Sequence, residues 1–138
     1  MYGNTEQMAE TIASSLSANG VKNIVMHNVS KSPASNILKD IFKYKGLIIG
    51  CPTYSNRLYP EVASILDKIE TREVKNRLFG YFGSFSWSGV AVKQLAAFGE
   101  KMKWTIVGEP VEQKQGLKAE KYEACWDLGK AMAEQLRG

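Results

Sequence analysis

Residues 46–69 read GLIIGCPTYSNRLYPEVASILDKI. Positions 46–51 form a short apolar run that Pro52 stops. Such a run, without polar alternation, predicts a strand buried on both faces, as in a parallel sheet. The polar loop TYSNRLY follows. Pro60 then suits the first position of a helix with Val62, Ala63, Leu66 and Ile69 turned inward. A strand, a loop and a helix in that order form half of a βαβ unit, and the loop lies at the carboxyl edge of the sheet.

The same alternation extends in both directions. Downstream, RLFGYFG at 77–83 predicts a second buried strand, its glycines marking close backbone neighbours. The loop SFSWSG leads to a helix over 89–101 with Val92, Leu95, Ala96 and Phe98 facing in. An extended segment over 103–114 precedes a last helix over 119–136, which carries Tyr122, Cys125, Trp126, Leu128, Met132 and Leu136. Upstream, Met8, Ile12 and Leu16, with Ala9 and Ala13 beside them, predict a helix over 5–19 that Gly20 terminates. VKNIVMHNV at 21–29 predicts a strand. Ser32 as cap and Pro33 at the first helical position open a helix over 33–44, using Ile37, Leu38, Ile41 and Phe42. This order implies an α/β fold, a parallel sheet with helices on both faces. One element departs from it: the chain opens on a glycine loop and a helix, with no strand before them.

Length and composition fit one domain over 1–138. No apolar run approaches the ~18 residues that span a bilayer, and the polar front lacks the form of a signal peptide, so the expectation is a cytoplasmic protein without a membrane role. The net charge of +4 is spread among interleaved acidic and basic residues, which argues against a nucleic-acid stripe. Cys51 and Cys125 are too few and too separated for a disulfide framework and read as buried apolar residues. His27 is the only histidine, which excludes a histidine-based metal cluster within the chain.

Three loops fall at the carboxyl edge: MYGNT, PTYSNRLYP and GSFSWSG. The first leads into a helix N-terminus, where unpaired N–H groups and the positive dipole end suit a phosphate. The other two carry Tyr54, Tyr59, Phe85 and Trp87. A flat aromatic ligand bearing a phosphate would use all three loops.

These loops resemble a known family. MYGNT looks like the tail of the flavodoxin phosphate loop, usually Ser/Thr–x–Thr–Gly–x–Thr. GCPTYSNRLYPEVASILDKI and GYFGSFSWSGVAVKQL resemble, more narrowly, the flavodoxin-like domain of A-type flavoproteins, also called flavodiiron proteins. The resemblance implies a flavodoxin-like three-layer sandwich with strand order 2-1-3-4-5, FMN as cofactor, electron transfer as function and a redox partner protein. Carried over by position, Gly3, Asn4 and Thr5 would hold the FMN phosphate, with the backbone of Tyr2 beside them. Pro52, Thr53, Tyr54 and Asn56 would border the flavin ring on one side, and Ser84, Phe85, Ser86, Trp87 and Gly89 on the other. The resemblance supplies no general acid, base, nucleophile or metal ligand here.

The family begins with a strand of about six residues that lies centrally in its sheet, and this sequence shows no counterpart. The expectations are a longer native chain, a neighbouring subunit that covers the gap in a homo-oligomer, or VKNIVMHNV sliding beside GLIIGC. The alternatives to an FMN-binding electron-transfer domain are a cofactor-free remnant acting as an interaction or assembly domain, and a phosphate-binding regulatory domain of similar topology. The aromatic loops count against the latter, which would place carboxylates at those edges.

Overall fold

The computed structural model describes residues 2–28, 31–51, 53–54, 57–58, 60–84, 90–108, 111–113 and 118–137. At the ends bordering the loops, only the backbone is described. The elements are α1 (Tyr2–Ala18), α2 (Ala34–Lys43), β1 (Gly46–Cys51), β2 (Thr53–Tyr54), β3 (Arg57–Leu58), α3 (Pro60–Thr71), β4 (Leu78–Ser84), α4 (Val90–Met102), β5 (Thr105–Ile106), β6 (Val111–Gln113) and α5 (Lys118–Arg137). The main sheet is parallel, with β4 between β1 on one side and β5 and β6 on the other. β5 and β6 form a single interrupted edge: the predicted 103–114 extension breaks after Ile106, and Gly108 takes a left-handed φ of 68°. Glycine adopts that conformation without the steric penalty a side chain brings.

Side-chain alternation along β4 divides the core in two. Phe79 and Tyr81 point to the layer of α2, α3 and α4, joining Ile41, Ile69, Leu95 and Trp104. Leu78 and Phe82 point to α1 and α5, joining Met8, Ile12, Leu128 and Met132. The buried Trp104 indole donates to the Val74 carbonyl (3.0 Å), so its polar edge is satisfied inside the core. Arg77 tethers the end of α2, donating from Nε to the Ile41 carbonyl (3.1 Å) and from Nη2 to that of Phe42 (3.2 Å). A cation there meets the orphan carbonyls and the negative end of the helix dipole.

α1 and α5 lie side by side in contact. The buried Ser15 hydroxyl donates to the Trp126 carbonyl (2.6 Å). A Cβ at Gly129 would stand 2.8 Å from the Ile12 carbonyl oxygen and 2.7 Å from Ser15 Cβ. Neither neighbour can rotate away. Gly129→Ala therefore sets a helix-propensity gain of about 1 kcal/mol against an overpacking loss of about 1–3 kcal/mol. The clash is with backbone, so the loss prevails: urea unfolding is expected to show a net destabilisation of about 1–2 kcal/mol. A stabilised variant would contradict this packing.

Several sequence expectations are corrected. Residues 21–28 form no strand: the segment has no ladder partners, because among the described residues the strand it would pair with in a 2-1-3-4-5 order is not beside it. It has not slid beside β1 either; a cavity separates the two. Leu47, Ile48 and Ile49 are consequently half-buried rather than fully enclosed. Ser32 does not cap α2. Pro33 holds that position without a side-chain cap, and the serine hydroxyl turns to His27 instead. Phe42 is 50% exposed and Ala63 is exposed, since the buried faces follow Ile37, Leu38 and Ile41 in α2 and Val62, Ile65, Leu66 and Ile69 in α3. The loop after β1 is not wholly irregular, for Thr53–Tyr54 pairs antiparallel with Arg57–Leu58.

Candidate functional site

The carboxyl edge of the sheet gathers three segments. β1 ends at Cys51 beside Gly83, and β6 brings Gln113 beside Ser84. The β2–β3 hairpin follows β1 directly. α1 reaches the same edge, as its pairing with α5 shows. Gln7 meets Tyr122 (hydroxyl to Oε1, 3.0 Å), while Ser15 meets Trp126 and Gly129, so the two helices run in the same direction. α5 follows β6 and starts at the carboxyl edge, and α1 therefore starts there too.

α1 is helical from Tyr2, three residues earlier than the periodicity predicts. The correction matters for chemistry. The N–H groups of a helix's first three residues have no intrahelical acceptor, and here they belong to Tyr2, Gly3 and Asn4. The structure thus places three backbone donors and a positive dipole end at the rim. Among the predicted site residues, the backbones of Tyr2, Gly3, Asn4, Thr5, Thr53, Tyr54 and Ser84 are brought to this edge. Pro52, Asn56, Phe85, Ser86, Trp87 and Gly89 lie outside the described residues.

A second feature escaped the sequence reading. His27 Nε2 lies 2.6 Å from Asp40 Oδ2, and its Nδ1 lies 3.1 Å from Ser32 Oγ. This contact ties the 21–28 segment to α2. Nothing in the spacing of a histidine, a serine and an aspartate within 14 residues signals it, since segment and helix meet only in three dimensions. Two hydrogen bonds of this kind contribute about 1–3 kcal/mol together. His27→Ala is expected to speed amide exchange of Lys31 and Ser32, whose N–H groups donate to the Asn28 carbonyl, at least tenfold while leaving β4 protection within a few-fold. An equal loss in β4 would show that the contact holds the whole fold rather than this segment.

Beside it lies a cavity of about 700 Å3, bounded by α1, the 21–28 segment, α2, β1 and α3. It sits within the sheet layer and runs along β1 from Lys45 to Gly50. Among the described residues, no three His, Cys, Asp or Glu side chains are placed to hold a metal ion, and no helix is long and apolar enough to cross a membrane.

An open parallel sheet layered by helices, with a helix N-terminus and two strand-to-helix connections at one rim, defines an α/β protein of the doubly wound class. The sequence profile of the flavodoxin family matches residues 1–129, and the chain belongs to that family. It is 28% identical over 137 residues to the nitric oxide reductase of Moorella thermoacetica, covering 99% of this chain and 34% of that protein. The solved rubredoxin oxygen:oxidoreductase of Desulfovibrio gigas superposes with a TM-score of 0.93 at 30% identity, over 99% of this chain and 34% of that one. A flavodiiron core from Synechocystis gives a TM-score of 0.91 at 28% identity with the same coverage. The chain thus spans about a third of the length of these relatives. They lie in the narrower group that the loop motifs indicate.

Proposed function

We propose that this chain is an FMN-binding domain that carries electrons, working with a redox partner protein. The observation that supports it is the run of N–H groups without intrahelical acceptors, Tyr2 to Asn4, at the rim where β1 and β4 end. FMN, a planar ring on a phosphate tail, fits that donor set: a dianion is favoured at a helix N-terminus without any cationic side chain. Bound there, FMN supplies the redox chemistry, and the protein supplies binding, orientation and electrostatics. Gly3, Asn4 and Thr5 hold the phosphate. Pro52, Thr53, Tyr54 and Asn56 border the ring on one side and Ser84, Phe85, Ser86, Trp87 and Gly89 on the other, excluding water. No residue of the chain is assigned a proton-transfer or nucleophilic role. The oxygen and nitric oxide chemistry named for the longer relatives is assigned to none of these residues.

A titration tests the reading. FMN fluorescence is expected to be quenched at one equivalent, with riboflavin, which lacks the phosphate, bound at least 100-fold more weakly. Equal affinities would remove the phosphate site, and no quenching by either flavin would remove the function. A second reading, a flavodoxin-fold interaction domain without cofactor, is favoured by the edge of β1 that pairs with no strand among the described residues. Tight FMN binding would eliminate it as the sole role.

A further inference from the structure

We propose that the amino edge of the sheet, opposite the three-loop rim, docks an acidic segment of a partner protein that presents one apolar side chain among its carboxylates. The links into β1, β4 and β5 cross this edge, at residues 44–45, 72–77 and 103–104. They carry Lys45, Arg72, Lys75, Arg77 and Lys103 against a single acid, Glu73. The formal net charge of the whole chain is +4, so this edge accounts for all of it and the rest of the molecule balances. The cations are close together. The Lys45 carbonyl accepts from the Leu78 N–H (3.0 Å) and the Arg77 carbonyl from the Thr105 N–H (3.1 Å). The three links therefore stand side by side at successive strand spacings, a row about 10 Å wide. Lys45, Lys75 and Lys103 are exposed and make no ion pair among the described residues. Glu70, in the last turn of α3, is taken by Lys101 (2.6 Å).

Helix dipoles explain only part of this charge. A cation near a helix C-terminus meets its carbonyls; Arg77 does so at α2, and Lys101 lies in the last turn of α4. Lys45, Lys75 and Lys103 lie outside the helices. Lys103 follows α4 in the left-handed conformation, with φ of 59°, and Glu73 follows α3 with φ of 53°. Glycine is the unstrained residue at such positions, so charged side chains stand there against the preference of the backbone. Beside the row is Phe42, half exposed, its carbonyl held by Arg77 (3.2 Å). An exposed aromatic bordered by cations fits an apolar anchor flanked by carboxylates. The row is too short for a nucleic acid, which draws its affinity from about six or more phosphates. Tyr44 is no stacking platform, because the Lys43 ammonium stands over its ring at 5.3 Å. The edge lies one strand length, roughly 20 Å, from the three-loop rim, so a partner docked here leaves that rim open.

The test uses the full chain, without flavin and at low salt, and the fluorescein-tagged peptide Asp–Glu–Glu–Leu–Glu–Asp–Gly. A control peptide carries Ser in place of Leu. The expected result is saturable binding at one peptide per chain, at least tenfold weaker in about 0.3 M salt and several-fold weaker for the Ser peptide. Amide shifts in the unaltered chain should centre on Phe42–Lys45, Lys75–Arg77 and Lys103. Lys45→Glu combined with Lys103→Glu should lose at least tenfold in affinity, and Phe42→Ser several-fold. Lys93→Glu combined with Lys130→Glu, the same change of charge outside this edge, should lose less than threefold. Absence of saturable binding, shifts centred elsewhere, or equal losses in the two double variants would overturn the proposal. So would a single-stranded hexanucleotide, or phosphatidylserine vesicles, bound more tightly than the peptide. Added FMN should leave the peptide affinity unchanged, so the outcome is independent of the FMN titration.

Discussion

Phe79→Ala is expected to lower the unfolding free energy by about 3–5 kcal/mol, as removal of a wholly buried aromatic does. Phe79 is fully buried on the central strand β4, stacked on Tyr81 at 5.4 Å between centroids and meeting Trp104 and Phe98 edge-on at 5.5 and 6.1 Å. Gly99 is bare beneath it, since a Cβ there would stand 2.8 Å from the ring. The surrounding shell belongs to three different elements and cannot close over the void as a unit. Domains of this size hold only about 5–15 kcal/mol in total, so the midpoint temperature should fall by roughly 10 °C or more. Ile106→Ala, at an exposed position on β5, should change stability by less than about 1 kcal/mol. Similar losses at the two sites, measured by urea unfolding, would mean that the core is not centred on β4.

The second large effect lies where the core meets the rim. Gly50 and Phe82 are register partners on β1 and β4, and the Phe82 ring covers the glycine. A Cβ at Gly50 would come within 2.0 Å of that ring. In Gly50→Ala the ring must leave its place among the α1 and α5 side chains, at an expected cost of about 2–3 kcal/mol. The usual gain from removing a strand glycine, about 0.5–1 kcal/mol, is smaller. In a Phe82→Ala background the same change should cost nothing, which gives a coupling energy of about 2–3 kcal/mol in a double-mutant cycle. Gly50 precedes Cys51 at the carboxyl edge and Phe82 precedes Ser84 by two residues. The displacement should therefore also weaken FMN binding at least tenfold, whereas Phe79→Ala should weaken it little under conditions where that variant is folded. Additive stability effects would refute the contact.

The elements that the sequence displays plainly are those whose signal is local. GLIIGC reads as a strand because its apolar run is too short for a helix, and Pro60 opens α3 because its fixed φ and missing N–H suit a first turn. Residues 21–28, VKNIVMHN, have equally good strand propensity and form no strand, because a ladder needs a neighbour and propensity does not supply one. Phe42 keeps the helical period of α2 yet faces solvent, one position round from Ile41. That β1 and β4 end side by side at one rim was legible from the alternation of strands and helices. The start of α1 at Tyr2 was not, since a glycine near a terminus reads as loop even where it is helical. The cavity and the His27–Asp40 contact were invisible for another reason. Both arise from segments that meet only after the sheet has formed, and no spacing in the chain encodes either.

The most direct test of the central claim is where FMN binds. In an amide-resolved NMR titration with FMN, the largest shifts are expected at Gly3, Asn4 and Thr5, together with Thr53, Tyr54 and Ser84, and riboflavin should fail to move the first three. Shifts concentrated instead at Ile24–His27 and Leu47–Gly50, or saturable FMN binding that leaves Gly3–Thr5 unmoved, would contradict a flavin held at the carboxyl rim by the opening turn of α1.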